Sequence, residues 1–127
     1  MPETRMMHIG ELAERTELSL RTIRHYDQIG LLAPSGRSEG GFRLYTEEDY
    51  EQLMLIRRMK PLGYSLEQMG DLLRALESVH TGNTASAHGK LALAQFLDDA
   101  QERRSKLAQQ LEAADEFIGL LSARIRS

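Results

Sequence analysis

The chain has 127 residues, the size of one domain with room for an appended helix. Its 41% hydrophobic and 28% charged content suits a globular chain, the absence of cysteine excludes a disulfide framework and thiolate metal or redox sensing, and no apolar run approaches the ~20 residues that cross a bilayer. A net charge of −3 does not announce a polyanion-binding protein, but such a surface needs local rather than total positive charge, and the segment 21–43 carries Arg21, Arg24, Arg37 and Arg43 against Asp27 and Glu39.

The opening MPETRMMHIG lacks the apolar stretch of a secretion signal, so the chain reads as cytoplasmic, and Met6 and Met7 allow a start downstream of Met1. Residues 1–7 have no period and read as a flexible arm. A short amphipathic helix follows over roughly Gly10 to Arg15, with Ile9, Leu12 and Ala13 inward. Thr16 to Leu18 form a tight connection. Ser19 is an N-cap for a second helix to about Ile29, since its hydroxyl can accept a free N–H of the first turn. Leu20 and Ile23, with Asp27 or Gln28, mark one side of it, and Gly30 suits the residue just past its end. Two short helices around such a turn make a helix-turn-helix. The turn has no glycine, which places any demand for positive φ on Glu17.

In LLAPSGRSEGGFRLY, Pro34 stops a helix and Gly40-Gly41 supplies a hairpin tip. Alternation places Phe42 and Leu44 inward and Arg43 and Tyr45 on the other face, making a small wing. Thr46 caps a third helix with Glu47, Glu48 and Asp49 in its first turn and Tyr50, Leu53 and Ile56 as its buried stripe. Pro61 ends or kinks that helix near Met59. Ser65 and Gln68 fit a capping box opening a fourth helix, with Met69, Leu72, Leu73 and Leu76 on its core face. Residues 78–89 are small and polar, include His80 and His88, and read as a loop or frayed helix start.

From about Lys90 to Arg126 the chain has no proline. Leu93, Leu97, Ala100, Arg104, Leu107, Leu111, Ala114, Ile118, Leu121 and Ile125 recur at alternating spacings of four and three, and nine of these ten are apolar. That 3.5-residue period marks a coiled-coil seam. So long a helix cannot bury its stripe inside so small a domain, and the seam calls for a partner chain. If two such helices run antiparallel about a centre near residue 109, Arg104 faces Ala114 of the partner subunit, with the partner subunit's Asp115 close by, which would offset the charge and help set register.

The markers IGELA, S-x-R-T-I-R-x-Y-D, IGLL-x-P, R-S-x-x-G-F-R-x-Y and LGYSLEQ stand in order over residues 7–76. In combination this run resembles the DNA-binding domain of the MerR family of transcription regulators, and the closing helix is similar in kind to that family's dimerisation helix. The resemblance implies a mainly α fold: a winged helix-turn-helix with a small β-hairpin wing, plus a long C-terminal coiled-coil helix. The expected division is a flexible arm (1–7), the winged domain (8–77), a polar loop (78–89) and a dimerisation helix (90–127) that the resemblance pairs with its partner as an antiparallel coiled coil. It further implies a homodimer on a pseudo-palindromic operator in double-stranded DNA, promoter distortion that lets RNA polymerase engage, either activation or repression, and switching by an effector.

Arg21 and Thr22 lie in the first turn of the second helix, the part of a helix-turn-helix that enters the major groove. An arginine there reads guanine O6 and N7, neutralises a phosphate, or is simply solvated. Arg24 and Tyr26 match family positions near the DNA backbone, Tyr26 alternatively packing under the wing, and His25 takes a packing or phosphate role. Arg37 and Arg43 flank the wing tip and reach a minor groove, or else blunt a strand edge. Ser19, Gly41 and Phe42 complete the DNA-facing set, while Tyr45 divides evenly between a core hydrogen bond and a phosphate. Arg57 and Arg58 read as solvated. His80 and His88 are weak grounds for a metal, so none is assigned. No nucleophile–base order or phosphate-cradling glycine loop indicates an enzyme, and no cofactor is implied. Two other functions stay open: an architectural protein that bends DNA without an effector, and a coiled-coil protein-interaction module.

Overall fold

The computed structural model describes residues 5–81 and 86–127. In chain order the elements are β1 (Met7–His8), α1 (Ile9–Thr16), α2 (Leu20–Gln28), β2 (Gly36–Arg37), β3 (Arg43–Tyr45), α3 (Glu47–Met59), a single 3-10 turn (Lys60–Leu62), α4 (Leu66–Thr81) and α5 (Ser86–Arg126). The chain divides into a unit ending at Leu73 and another from Arg74 to Ser127, so the division runs through α4. The fold is mainly α, a winged helix-turn-helix followed by a long C-terminal helix, as the residues imply.

The helix-turn-helix is closed by side-chain chemistry at each corner. Thr16, fully buried, donates its hydroxyl to the Leu12 carbonyl at 2.7 Å and accepts the Leu18 N–H at 3.3 Å, which turns the chain out of α1. Glu17 follows at φ 59°, the strained conformation expected of it. Ser19 then caps α2 by accepting the Thr22 N–H at 3.0 Å. Gly30 ends that helix at φ 75°. Ile23 and Tyr26 form the buried side of α2, whereas Leu20, which marks one side of the helix with Ile23 in the sequence, is exposed. Leu12, Ile23, Leu53 and Ile56 make the centre of the core.

The wing is larger than the hairpin expected. β3 pairs antiparallel with both β2 and β1, in the order β1-β3-β2. The third strand corrects the reading of residues 1–7 as an arm: Met7 pairs with Tyr45 and is 1% exposed. Residues 1–4 lie outside the described residues. The assignment of wing faces also reverses. Phe42 precedes β3 and stands 68% exposed, while Tyr45 is fully buried. Pairing with β1 makes β3 the central strand, and Tyr45, opposite the buried Met7, lies on its inward face.

Tyr45 Oη has no hydrogen-bond partner among the described residues, and burial raises its pKa, so the phenol stays neutral. A buried polar atom without a partner costs free energy. Tyr45→Phe is therefore expected to stabilise the protein by about 1 kcal/mol, read as a higher urea midpoint at unchanged m value. A lower midpoint would show that the hydroxyl contributes to the fold.

Thr46 and Asp49 form a reciprocal capping box at the start of α3 (3.1 and 2.8 Å), and the buried Asp49 also accepts from Ser35 Oγ at 2.6 Å. One carboxylate thus ties the segment before β2 to α3. Arg15 links α1 to α3: it donates to Glu47 at 2.8 Å, which lowers the Glu47 pKa, and its guanidinium lies 4.0 Å from the Tyr50 ring centre. As Pro61 requires, α3 stops at Met59. Ser65 and Gln68 then form the expected box at 2.8 and 3.1 Å.

α4 runs to Thr81 and α5 begins at Ser86, so the polar loop expected over 78–89 is corrected: 78–81 and 86–89 are helical, and 82–85 lie outside the described residues. Polar composition misled there, because a half-exposed helix needs few apolar residues. In the second unit Gly89 is buried. A Cβ on it would come within 3.0 Å of the Ala75 carbonyl oxygen, Ser78 Oγ and Val79 Cγ2, a close approach open to glycine.

Candidate nucleic-acid interface

The exposed side of α2 is cationic. Arg21, Arg24, His25 and Gln28 line a shallow concavity, and Ile23 and Tyr26 anchor the opposite side in the core. Beside it an open cleft of about 350 Å³ is lined by Arg21, Thr22, His25, Tyr26, Lys60, Tyr64, Leu66 and Met69. Its apolar floor comes from α2 and the start of α4, and its rim carries Arg21 and Lys60 with no acidic side chain. Thr22 is half-buried, and its Oγ1 lies 2.8 Å from Ser19 Oγ. Ser19 is therefore committed to its own helix end while remaining exposed. Tyr26 is buried, which raises its pKa and keeps the phenol neutral.

The wing tip is a tight turn over Ser38 to Gly41. The Gly41 N–H donates to the Ser38 carbonyl at 2.9 Å, the Phe42 N–H to Ser38 Oγ at 3.2 Å, and Gly41 has φ 81°. Arg37 donates to the Gly41 carbonyl at 3.1 Å. Arg43, half-buried, donates its Nε–H to Asp27 at 2.8 Å, and Arg37 Nη2 lies 3.8 Å from the same carboxylate oxygen. The wing is in this way tied to the last turn of α2.

Of the residues expected to face DNA, the structure gathers Ser19, Arg21, Thr22, Arg24 and His25 on α2 and Arg37, Gly41, Phe42 and Arg43 on the wing, all in one unit. It removes Tyr45, which is fully buried and cannot reach a phosphate, and it turns Tyr26 inward. Arg57, read as solvated, donates to Glu17 at 2.9 Å. Gln28, Lys60 and Tyr64 also line this surface, and Asp27 pairs with its wing arginines, none of which the sequence placed there. The signal for Asp27 was an acid in the last turn of a helix, where the dipole disfavours it.

On α5 the seam residues Leu97, Leu107, Leu111, Ile118, Leu121 and Ile125 are exposed, as are Arg104 and Ala114, while Leu93 and Ala100 are half-buried. Arg104 has no ion pair among the described residues, in contrast to the neighbouring Arg103–Asp99 pair at 2.7 Å. No helix among the described residues is long and apolar enough to cross a membrane, and no three of their His, Asp and Glu side chains form a group that could hold a metal ion.

Comparison with known proteins bears on the same segment. The family described as MerR HTH family regulatory protein matches residues 7–76. An uncharacterised HTH-type transcriptional regulator of Pseudomonas aeruginosa is 35% identical over 112 residues, covering 88% of this chain and 83% of its own. The HTH-type transcriptional regulator ZntR of Escherichia coli K12 is 47% identical over 68 residues, 54% of this chain; the match spans 48% of ZntR. Among solved structures, HiNmlR, a MerR family regulator lacking the sensor domain and bound to promoter DNA, is 27% identical with a TM-score of 0.66 over 85% of this chain and 76% of its own. A cationic helix-turn-helix and wing, a family match over more than half the chain and relatives of nearly the same extent converge: the chain belongs to the MerR family of DNA-binding transcriptional regulators.

Proposed function

We propose that the protein acts as a homodimer on a pseudo-palindromic operator and distorts promoter DNA to control initiation by RNA polymerase. The observation that carries this reading is the heptad stripe of α5, a helix of 41 residues and so about 60 Å long, whose leucines and isoleucines from Leu97 to Ile125 are exposed among the described residues. A contiguous apolar stripe of this kind marks an interaction surface, and its 3.5-residue period fits a second copy of the same helix. Two copies would present two α2 helices and two wings, the arrangement that mirrors a palindrome. In each protomer Arg21 and Thr22 address the major groove, with Ser19 at the helix start and Arg24 and His25 towards the DNA backbone, and Arg37, Gly41, Phe42 and Arg43 address the adjoining backbone and minor groove. The structure of HiNmlR on promoter DNA supports the assignment. The reaction needs no catalysis or cofactor, and its place is the cytoplasm.

In vitro selection with the dimer, followed by mapping the recovered site against promoter elements and run-off transcription, tests the reading. The expected result is a palindromic site within a promoter whose output the protein changes. Bending without any change in initiation would favour an architectural protein, and DNA association indifferent to salt would favour a protein-interaction module.

Within the antiparallel dimer centred near residue 109, Arg104 meets the partner subunit's Asp115 beside Ala114 of the partner subunit. Arg104→Leu is expected to leave a dimer that loses unique register, seen as extra species in disulfide crosslinking of single-cysteine variants. An unchanged crosslinking pattern would remove Arg104 from that role.

A further inference from the structure

We propose that Asp27 is a positioning residue that sets DNA selectivity: it aims Arg43 and Arg37 of the wing and cancels part of their charge towards arbitrary phosphate. The inference rests on the reading of α2 and the wing as a DNA interface.

Asp27 is the one acid in α2 and lies in its last turn, where the helix dipole disfavours a negative charge. Its side chain is 17% exposed within a cationic surface. A carboxylate there opposes the approach of any polyanion, so its place calls for an offsetting role. The geometry supplies one. Arg37 and Arg43 are direct cross-strand partners in the β2–β3 pair, a placement in which like charges repel. One oxygen of Asp27 accepts from Arg43 Nε at 2.8 Å and stands 3.8 Å from Arg37 Nη2, so a single anion holds both cations together.

The mode of attachment matters as much as the charge. Arg43 engages through Nε, which fixes the plane of its guanidinium while Nη1 and Nη2 have no hydrogen bond among the described residues. A planar, oriented guanidinium is the group suited to two parallel bonds with a phosphate or base edge. Arg37 is held a second time by the Gly41 carbonyl. The three side chains carry one net positive charge rather than two. Sequence-independent binding follows the neutralising charge, whereas specific binding follows register and orientation. Asp27 lowers the first and preserves the second.

The test compares the full-length protein on two duplexes by fluorescence anisotropy over a range of salt: the site recovered by selection with the wild type, and a scrambled duplex of the same composition. Asp27→Asn is expected to tighten scrambled binding severalfold without tightening the selected site, so that the ratio of the two affinities falls about tenfold. Asp27→Glu, which keeps the carboxylate, should restore most of the ratio. Arg43→Lys keeps the charge but not the oriented plane, and should lower the ratio by weakening the selected site alone. In an Arg37→Ala/Arg43→Ala background Asp27→Asn should leave the ratio unchanged, because nothing remains to aim. A purely structural Asp27 would weaken both duplexes together, and thermal unfolding of each variant identifies that outcome, which overturns the proposal. An unchanged ratio in Asp27→Asn, or the same change in the arginine-free background, also overturns it. If Arg21→Ala too leaves the selected site unaffected, the DNA-interface reading itself has failed; if Arg21→Ala loses that site, the failure belongs to Asp27 alone.

Discussion

Arg21→Ala is expected to weaken binding to the selected operator on the order of a hundredfold or more, the largest loss from any single arginine. The side chain leaves the first turn of α2, whose opposite side is pinned by Ile23 and Tyr26 and whose start is fixed by Ser19. A rigid helix end of this kind delivers its side chain to a defined base or phosphate without further ordering. A bidentate guanine contact carries about 1–3 kcal/mol of discrimination, and a dimer makes it twice. Two measurements separate the chemistry. If Arg21 reads a base, the loss is confined to the operator; if it holds a phosphate, scrambled DNA weakens equally and the slope of log K against log salt becomes shallower by about two per dimer. Operator affinity equal to that of the wild type would remove Arg21 from the interface.

Leu107→Asp is expected to give a protein that sediments as a monomer and binds the operator more than a hundredfold less tightly. In the proposed pairing Leu107 lies opposite Leu111 of the partner subunit, so the substitution sets a carboxylate from each protomer against leucine near the centre of the seam. Burying an unpaired carboxylate is strongly unfavourable, and separation of the protomers is the escape. The DNA effect follows from linkage: once one half-site is bound, the second is bound within the same complex, an advantage of about 10²–10⁴ in affinity. Leu107 is exposed in its own chain, so the change removes little packing there. The far-ultraviolet circular dichroism of the winged unit should therefore persist, while Gln110→Asp, off the stripe, should leave sedimentation unaltered. A Leu107→Asp protein that still sediments as a dimer would place the interface elsewhere.

Legibility in the sequence followed the range of the interactions. Helix ends were readable because their chemistry spans three or four residues: Ser19 with Thr22, Thr46 with Asp49 and Ser65 with Gln68 all form the caps expected. The stop at Pro61 and the strain at Glu17 are likewise local. What failed was set by partners distant in the chain. The two-residue β1 carries no periodicity, yet it pairs with β3 and sets the buried Met7 opposite the buried Tyr45, and the faces of so short a strand follow from its neighbours. The link from Asp27 to Arg43 crosses sixteen positions and can be found only once α2 and the wing are placed together. On α5 the helix itself was legible because a long helix writes its apolar period many times over.

The glycine-free turn between α1 and α2 bears on the unfolded chain as much as on the folded one. Holding Glu17 in the left-handed region costs about 1 kcal/mol that a glycine would spare. A glycine, however, would widen the range of conformations open to the denatured turn, returning roughly 0.5–1 kcal/mol of that saving as lost chain entropy. It would also delete the carboxylate that Arg57 of α3 grips at 2.9 Å. A strained residue with a restricted denatured ensemble and a tether to the third helix keeps the angle between α1 and α2 stiff, so that little of the free energy of DNA contact is spent on ordering the turn.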